Sequence, residues 1–158
     1  MVAEIITSRE IREKYVTETF SGDKELFEKY HIVKGSEEQC INDTIIKIEE
    51  SYDGIGTIIE SYTFYGLKED NQTIGYFTKF EAKEGRYLVD VLHSFGININ
   101  HRNKKTFKRF MDILENFFSD KIIVALHNKN TRAISFLEKN DFLITKRAED
   151  YLFLSKRL

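Results

Sequence analysis

The residues best suited to chemistry lie in two stretches of the C-terminal half. The first is "LVDVLHSFGIN", residues 88–98. Strand alternation puts Val91, His93, Phe95 and Ile97 on one face, and Asp90, Leu92 and Ser94 on the other. His93, whose imidazole ordinarily titrates near ~6.5, suits the work of a general base, directly or through water. It equally suits a hydrogen-bonded core histidine. Asp90 is the second candidate base.

The next stretch, "RNKKTFKR" at 102–109, carries five basic residues among eight and opens a helix. Cations at a helix N-terminus are unfavourable by ~0.3–1 kcal/mol each, so their clustering there calls for an anion. Backbone amides at such an end are donors in search of an acceptor. The alternative is a solvated helix start. The usual phosphate-cradling residue, glycine, is absent from the stretch. Further on, Asn130 is placed to cap "TRAISFLEKN" and could also contact a ligand.

These segments need elements to position them. Residues 1–55 read as a helical part: a short strand in "AEIIT", a helix from a Ser8 cap, "KELFEKY", and "SEEQCINDTIIKIEE". From 56 to 158 the period changes. "TIIESYTFYGL", "TIGYFTKFEA" and "RYLVDVLHSFGINI" form an antiparallel meander with turns at "KEDNQ" and "KEG". A helix follows, with Phe107, Phe110, Met111, Leu114, Phe117 and Phe118 in one apolar stripe. Then come the apolar strand "KIIVAL", a helix, and a hairpin of "FLITKR" and "YLFLSK" around "AED". The strands at 86–97 and 121–127, joined through a helix, should run parallel. The expectation is one α+β domain over 1–158, with a mixed, mostly antiparallel sheet and helices on both faces.

Composition sets the outer bounds. With 158 residues and 41% apolar content the chain can bury a real core. The net charge of −2 gives no global pull toward nucleic acid. No run approaches the ~18 apolar residues of a membrane span, so no membrane partner is expected. One cysteine, Cys40, fits a reducing cytoplasm, and reads as a small buried hydrophobe. His31, His101 and His127 show no metal-ligand spacing, so no metal is expected. The lack of proline and tryptophan, with abundant Lys, Asn, Ile and Phe, suggests an AT-rich bacterial or phage gene.

"INHRNKKTFKRFMDIL" and "NTRAISFLEKNDF" resemble the cofactor-binding segments of the GCN5-related N-acetyltransferase family. The second segment matches through Asn130, Ala133, Ile134, Phe136, Glu138, Lys139 and Phe142. The order of elements from residue 56 onward is similar as well. The first segment is a degenerate version of the family's pyrophosphate loop: with Arg102 in first place, Lys105 and Phe107 stand where small residues belong. The resemblance implies acetyl-CoA as acyl donor. Its pyrophosphate would lie on Arg102, Asn103, Lys104, Lys105, Thr106 and Phe107, its pantetheine on the backbone near Ile97 and Ile99 and on Asn130. It also implies transfer to a small-molecule or peptide amine by direct attack. The family often dimerises, so a homodimer is among the implied partners.

Two departures bear on chemistry. Leu137 stands where the family often has a tyrosine that protonates the departing thiolate. Val91 stands where many relatives carry a glutamate, with His93 on the same face. Two other readings follow: a binding protein of the same fold without catalysis, and a nucleic-acid or acidic-partner binder using the basic patch at 102–109.

Overall fold

The computed structural model describes residues 1–21, 57–84, 87–118, 120–147 and 151–158. The helices expected at "KELFEKY" and "SEEQCINDTIIKIEE", with His31 and Cys40, lie outside these residues, as do Gly85 of the "KEG" turn and the "AED" turn.

The chain opens with strand β1 (Val2–Ile5) and helix α1 (Arg9–Thr19). Ser8 caps α1, its side chain accepting from the Ile11 amide at 3.4 Å. The meander follows as β2 (Thr57–Glu69), β3 (Gln72–Glu84) and β4 (Tyr87–Ile97). Asp70 and Asn71 make the first turn at φ 50° and 61°, the paired left-handed residues of a two-residue hairpin whose twist matches its strands. After a short turn at Ile99–His101 come α2 (Lys104–Phe117), β5 (Lys121–His127), α3 (Thr131–Lys139), β6 (Leu143–Arg147) and β7 (Tyr151–Arg157).

The strands form one sheet in the order β1-β2-β3-β4-β5-β7-β6. Among the described strands only β4 and β5 pair in parallel, as their helical crossover requires; every other neighbouring pair of them is antiparallel. The mixed, mostly antiparallel α+β fold is therefore as read from the sequence. β7 inserts between β5 and β6, so the two strands joined through α3 are not neighbours.

Helices cover both faces. On one, α1 lays Tyr15 over Gly66, where a Cβ would come within 2.4–2.9 Å of the ring; only glycine permits that approach. Tyr15, Phe64 and Tyr76 form the small core there. On the other face, Phe110, Met111 and Leu114 of α2 and Leu137 of α3 pack on Tyr65, Phe77, Leu92, Ile122 and Val124. At about 1.5–3 kcal/mol for each such side chain buried, this packing fixes α2 against the sheet. The α2 stripe ends sooner than its period suggests. Phe117 sits at the rim, 37% exposed with its ring 4.9 Å from that of Tyr65, and Phe118 is buried beyond the helix as its cap.

Candidate functional site

β4 and β5 stay together for only three pairs, Asp90–Ile122, Val91–Ile123 and Leu92–Val124. β4 then runs on to Ile97 and β5 to His127 without pairing to each other, while each keeps its outer partner. The sheet opens there. The Asn98 amide donates to the Ile74 carbonyl at 2.7 Å, so alternation turns the main-chain groups of Phe95 and Ile97 away from β3, toward the opening. Half-buried apolar side chains gather beside it: Phe95 of β4, Leu126 of β5, Phe107 of α2, and Ile134 and Phe136 of α3.

The opening begins at a β-bulge. Thr78 pairs with Ser94 and Lys79 with Leu92, which leaves His93 as the extra residue. The bulge breaks the expected alternation, and this corrects the faces. Leu92, Phe95 and Ile97 pack on the α2 side. His93 and Ser94 turn to the α1 side, where the His93 Nδ1 lies 3.3 Å from Thr78 Oγ1 and the Ser94 hydroxyl lies 2.8 Å from the Tyr76 phenol. His93 is half-buried at the first position past the last β4–β5 pair. Burial pushes the Tyr76 phenol up to about 12, so it is a neutral hydroxyl.

Asp90 belongs elsewhere. It is buried at the closed end of the strand pair, 3.6 Å from Lys79 Nζ, which also donates to the Phe117 carbonyl at 2.7 Å. The ion pair accounts for its burial, since an unpaired charge there would be costly. It lies on the α2 side, across the sheet from His93, and the structure does not bring the two candidate bases together.

At the start of α2, Asn103 is the N-cap: its side chain accepts from Thr106 N–H at 2.9 Å and its carbonyl from Phe107 N–H at 3.0 Å. Two of the expected anion donors, the amides of Thr106 and Phe107, are thus engaged within the helix. The outward amides are those of Lys104 and Lys105, whose side chains are exposed together with that of Lys108. The Phe107 ring turns inward, 4.9 Å from that of Phe136. Arg102 folds back, its Nε donating to the Ile97 carbonyl at 2.8 Å. Ile99 is exposed on the short turn between them. Arg109 is bound to Glu69 at 2.7 Å, which holds that carboxyl below its usual range. The basic patch is therefore smaller than its sequence count, which weakens a nucleic-acid surface.

Asn130 caps α3, its side-chain oxygen accepting from Ala133 N–H at 3.3 Å. Leu137 is fully buried in the main core. Thr78, Ser94 and Asn98 were not singled out by the sequence. All three are buried, and Asn98 Nδ2 donates to the Glu18 carbonyl at 2.7 Å, tying the end of α1 to the end of β4. Thr78 could have been flagged by its register, two residues on from Tyr76 on the same strand face. Among the described residues, no three His, Cys, Asp or Glu side chains are grouped to hold a metal, and no helix is long and apolar enough to cross a membrane.

No protein-family model and no curated protein matches the sequence. Solved structures do match the fold. A GNAT-family acetyltransferase from Streptococcus agalactiae aligns at a TM-score of 0.66 and 12% identity, covering 99% of this chain and 95% of that one. The N-acetyltransferase PseH of Campylobacter jejuni, solved with acetyl coenzyme A, aligns at 0.55 and 12% over 99% of both chains. The ribosomal-protein-S18-alanine N-acetyltransferase of Escherichia coli aligns at 0.56 and 11%, over 99% of this chain and 92% of that one. At such identities the likeness establishes the fold alone.

Proposed function

From the GCN5-related N-acetyltransferase fold that this chain adopts, we propose that it is an acyl-CoA-dependent N-acyltransferase, moving an acetyl group from acetyl-CoA to an amine by direct attack. The observation that carries the reading is the parting of β4 from β5 after Leu92 and Val124, beside the N-terminus of α2. The half-buried apolar groups, the outward main chain of Phe95 and the outward amide of Ile97, whose carbonyl is taken by Arg102, suit the pantetheine arm. The amides of Lys104 and Lys105, backed by the exposed lysine charges, suit the pyrophosphate. Asn130 would reach the arm from the start of α3. That PseH was solved with acetyl coenzyme A supports the choice of donor.

In this scheme His93 takes the proton of the incoming ammonium, directly or through one water. The freed amine attacks the thioester carbonyl, and main-chain N–H near Ile97 stabilises the developing oxyanion. Collapse of the adduct releases CoA thiolate. Leu137 has no proton to give, so the thiolate leaves unassisted, and the extra proton that the attacking nitrogen still carries passes to solvent or, through water, to the thiolate. Asp90, ion-paired with Lys79, has no part in the transfer.

A second reading, a binding protein that keeps the fold without the reaction, is favoured by one observation: the position of the family's proton donor is a fully buried leucine. The two separate in one experiment. The purified chain is incubated with acetyl-CoA and a panel of small amines and peptides, and thiol release is followed. Transfer should appear with at least one amine, and His93→Ala should slow it roughly 10²–10⁴-fold with acetyl-CoA affinity retained. Tight binding without thiol release from any amine would favour the binding protein.

A further inference from the structure

We propose that Thr78 is the positioning residue that fixes the tautomer of His93. The inference rests on the reading of His93 as the base, and it follows from counting hydrogens. Thr78 Oγ1 lies 3.3 Å from His93 Nδ1 and 3.4 Å from the Ser94 carbonyl. The hydroxyl carries one hydrogen, and the carbonyl can only accept. If that hydrogen pointed to Nδ1, the hydroxyl and carbonyl oxygens would face each other without a proton between them. One arrangement satisfies both contacts: Nδ1–H donates to Oγ1, and Oγ1–H donates to the Ser94 carbonyl. The lone pair of the neutral ring then sits on Nε2.

The bulge makes this chain possible. With His93 as the extra residue, His93 and Ser94 both oppose Thr78, so one hydroxyl can reach the ring of the first and the carbonyl of the second. Thr78 is 1% exposed, which keeps water from competing for either bond. When Nε2 accepts a proton, Nδ1–H stays in place and the Thr78 contacts need not rearrange. The imidazolium forms with its second N–H already donating, which makes the proton transfer easier.

The test reads the ring itself. ¹⁵N-resolved NMR of the wild-type chain, above the His93 titration, should show His93 protonated on Nδ1 with Nε2 as the basic nitrogen. Thr78→Val keeps the shape and removes the acceptor; it should mix the tautomers and lower kcat roughly 10–100-fold, with acetyl-CoA affinity unchanged. Thr78→Ser should restore both. A wild-type ring protonated on Nε2, or a tautomer unmoved by Thr78→Val, would overturn the proposal. The wild-type spectrum decides even if Thr78→Val fails to fold. The tautomer is read without any substrate, so a chain that shows it yet transfers no acetyl group contradicts the proposed function and leaves the hydrogen-bond assignment standing.

Discussion

Buried hydroxyls on the α1 side of the sheet do two different jobs within a few residues of each other. Thr78 stands between the His93 ring and the Ser94 carbonyl, in the proposed arrangement accepting from the first and donating to the second, while Tyr76 is locked against the Ser94 side chain. The Tyr76 phenol, raised to about 12 by burial, has a consequence for stability. A phenol raised in the folded state favours the protonated form there. Its contribution is complete below the unfolded value near 10 and is lost as pH climbs toward 12. Urea unfolding between pH 9 and pH 12 should therefore show a loss of roughly 2–3 kcal/mol from this group. Tyr76→Phe should lessen the fall in that window, leaving the part that Tyr15, also raised to about 12 chiefly by burial, contributes there; an unchanged slope would mean that the Tyr76 phenol ionises in the folded protein as it does in water.

Helix and strand ends carry much of the positioning. α3 ends with Asp141 at φ 69°, the Phe142 amide donating to Leu137 and the Asp141 amide to Glu138. This is the left-handed cap that glycine makes most cheaply. Asp141→Gly should raise stability by about 0.5–1 kcal/mol, seen as a higher thermal midpoint with unchanged circular dichroism. A lower midpoint would mean that the aspartate side chain contributes more than its backbone strain costs. The Asn130 cap was legible because capping is a local rule, whereas Asn103 was read only as a pyrophosphate contact and its capping of α2 emerges from the structure. The apolar stripe of α2 was legible because burial follows helical period. The bulge at His93 was not: an extra residue leaves the composition of a strand unchanged, and only its pairing with β3 displays it. Reading Val91, His93, Phe95 and Ile97 as one face failed for that reason. The insertion of β7 between β5 and β6 is a long-range choice that no local pattern records.

Taken as a whole, the molecule joins two features that each mean little alone. A sheet that parts after Leu92 and Val124 is only a gap without something to fill it, and a lysine-rich helix start is only solubilising without an anion. Side by side, they suit a long ligand with an apolar arm and a charged end. In the proposed scheme the exposed lysines at the mouth take the part that glycines play in the family's usual loop, with charge in place of close backbone approach. Asp90, which the sequence offered as a base, belongs instead to the ion pair with Lys79 that closes the far end of the same strands. The most direct test of the central claim is calorimetric titration of the chain with acetyl-CoA, repeated with Lys105→Glu. Micromolar binding, weakened at least tenfold or about 1.4 kcal/mol by the substitution, is the predicted result. No binding at high micromolar acetyl-CoA, or equal binding by the variant, would contradict the phosphate cradle at the start of α2.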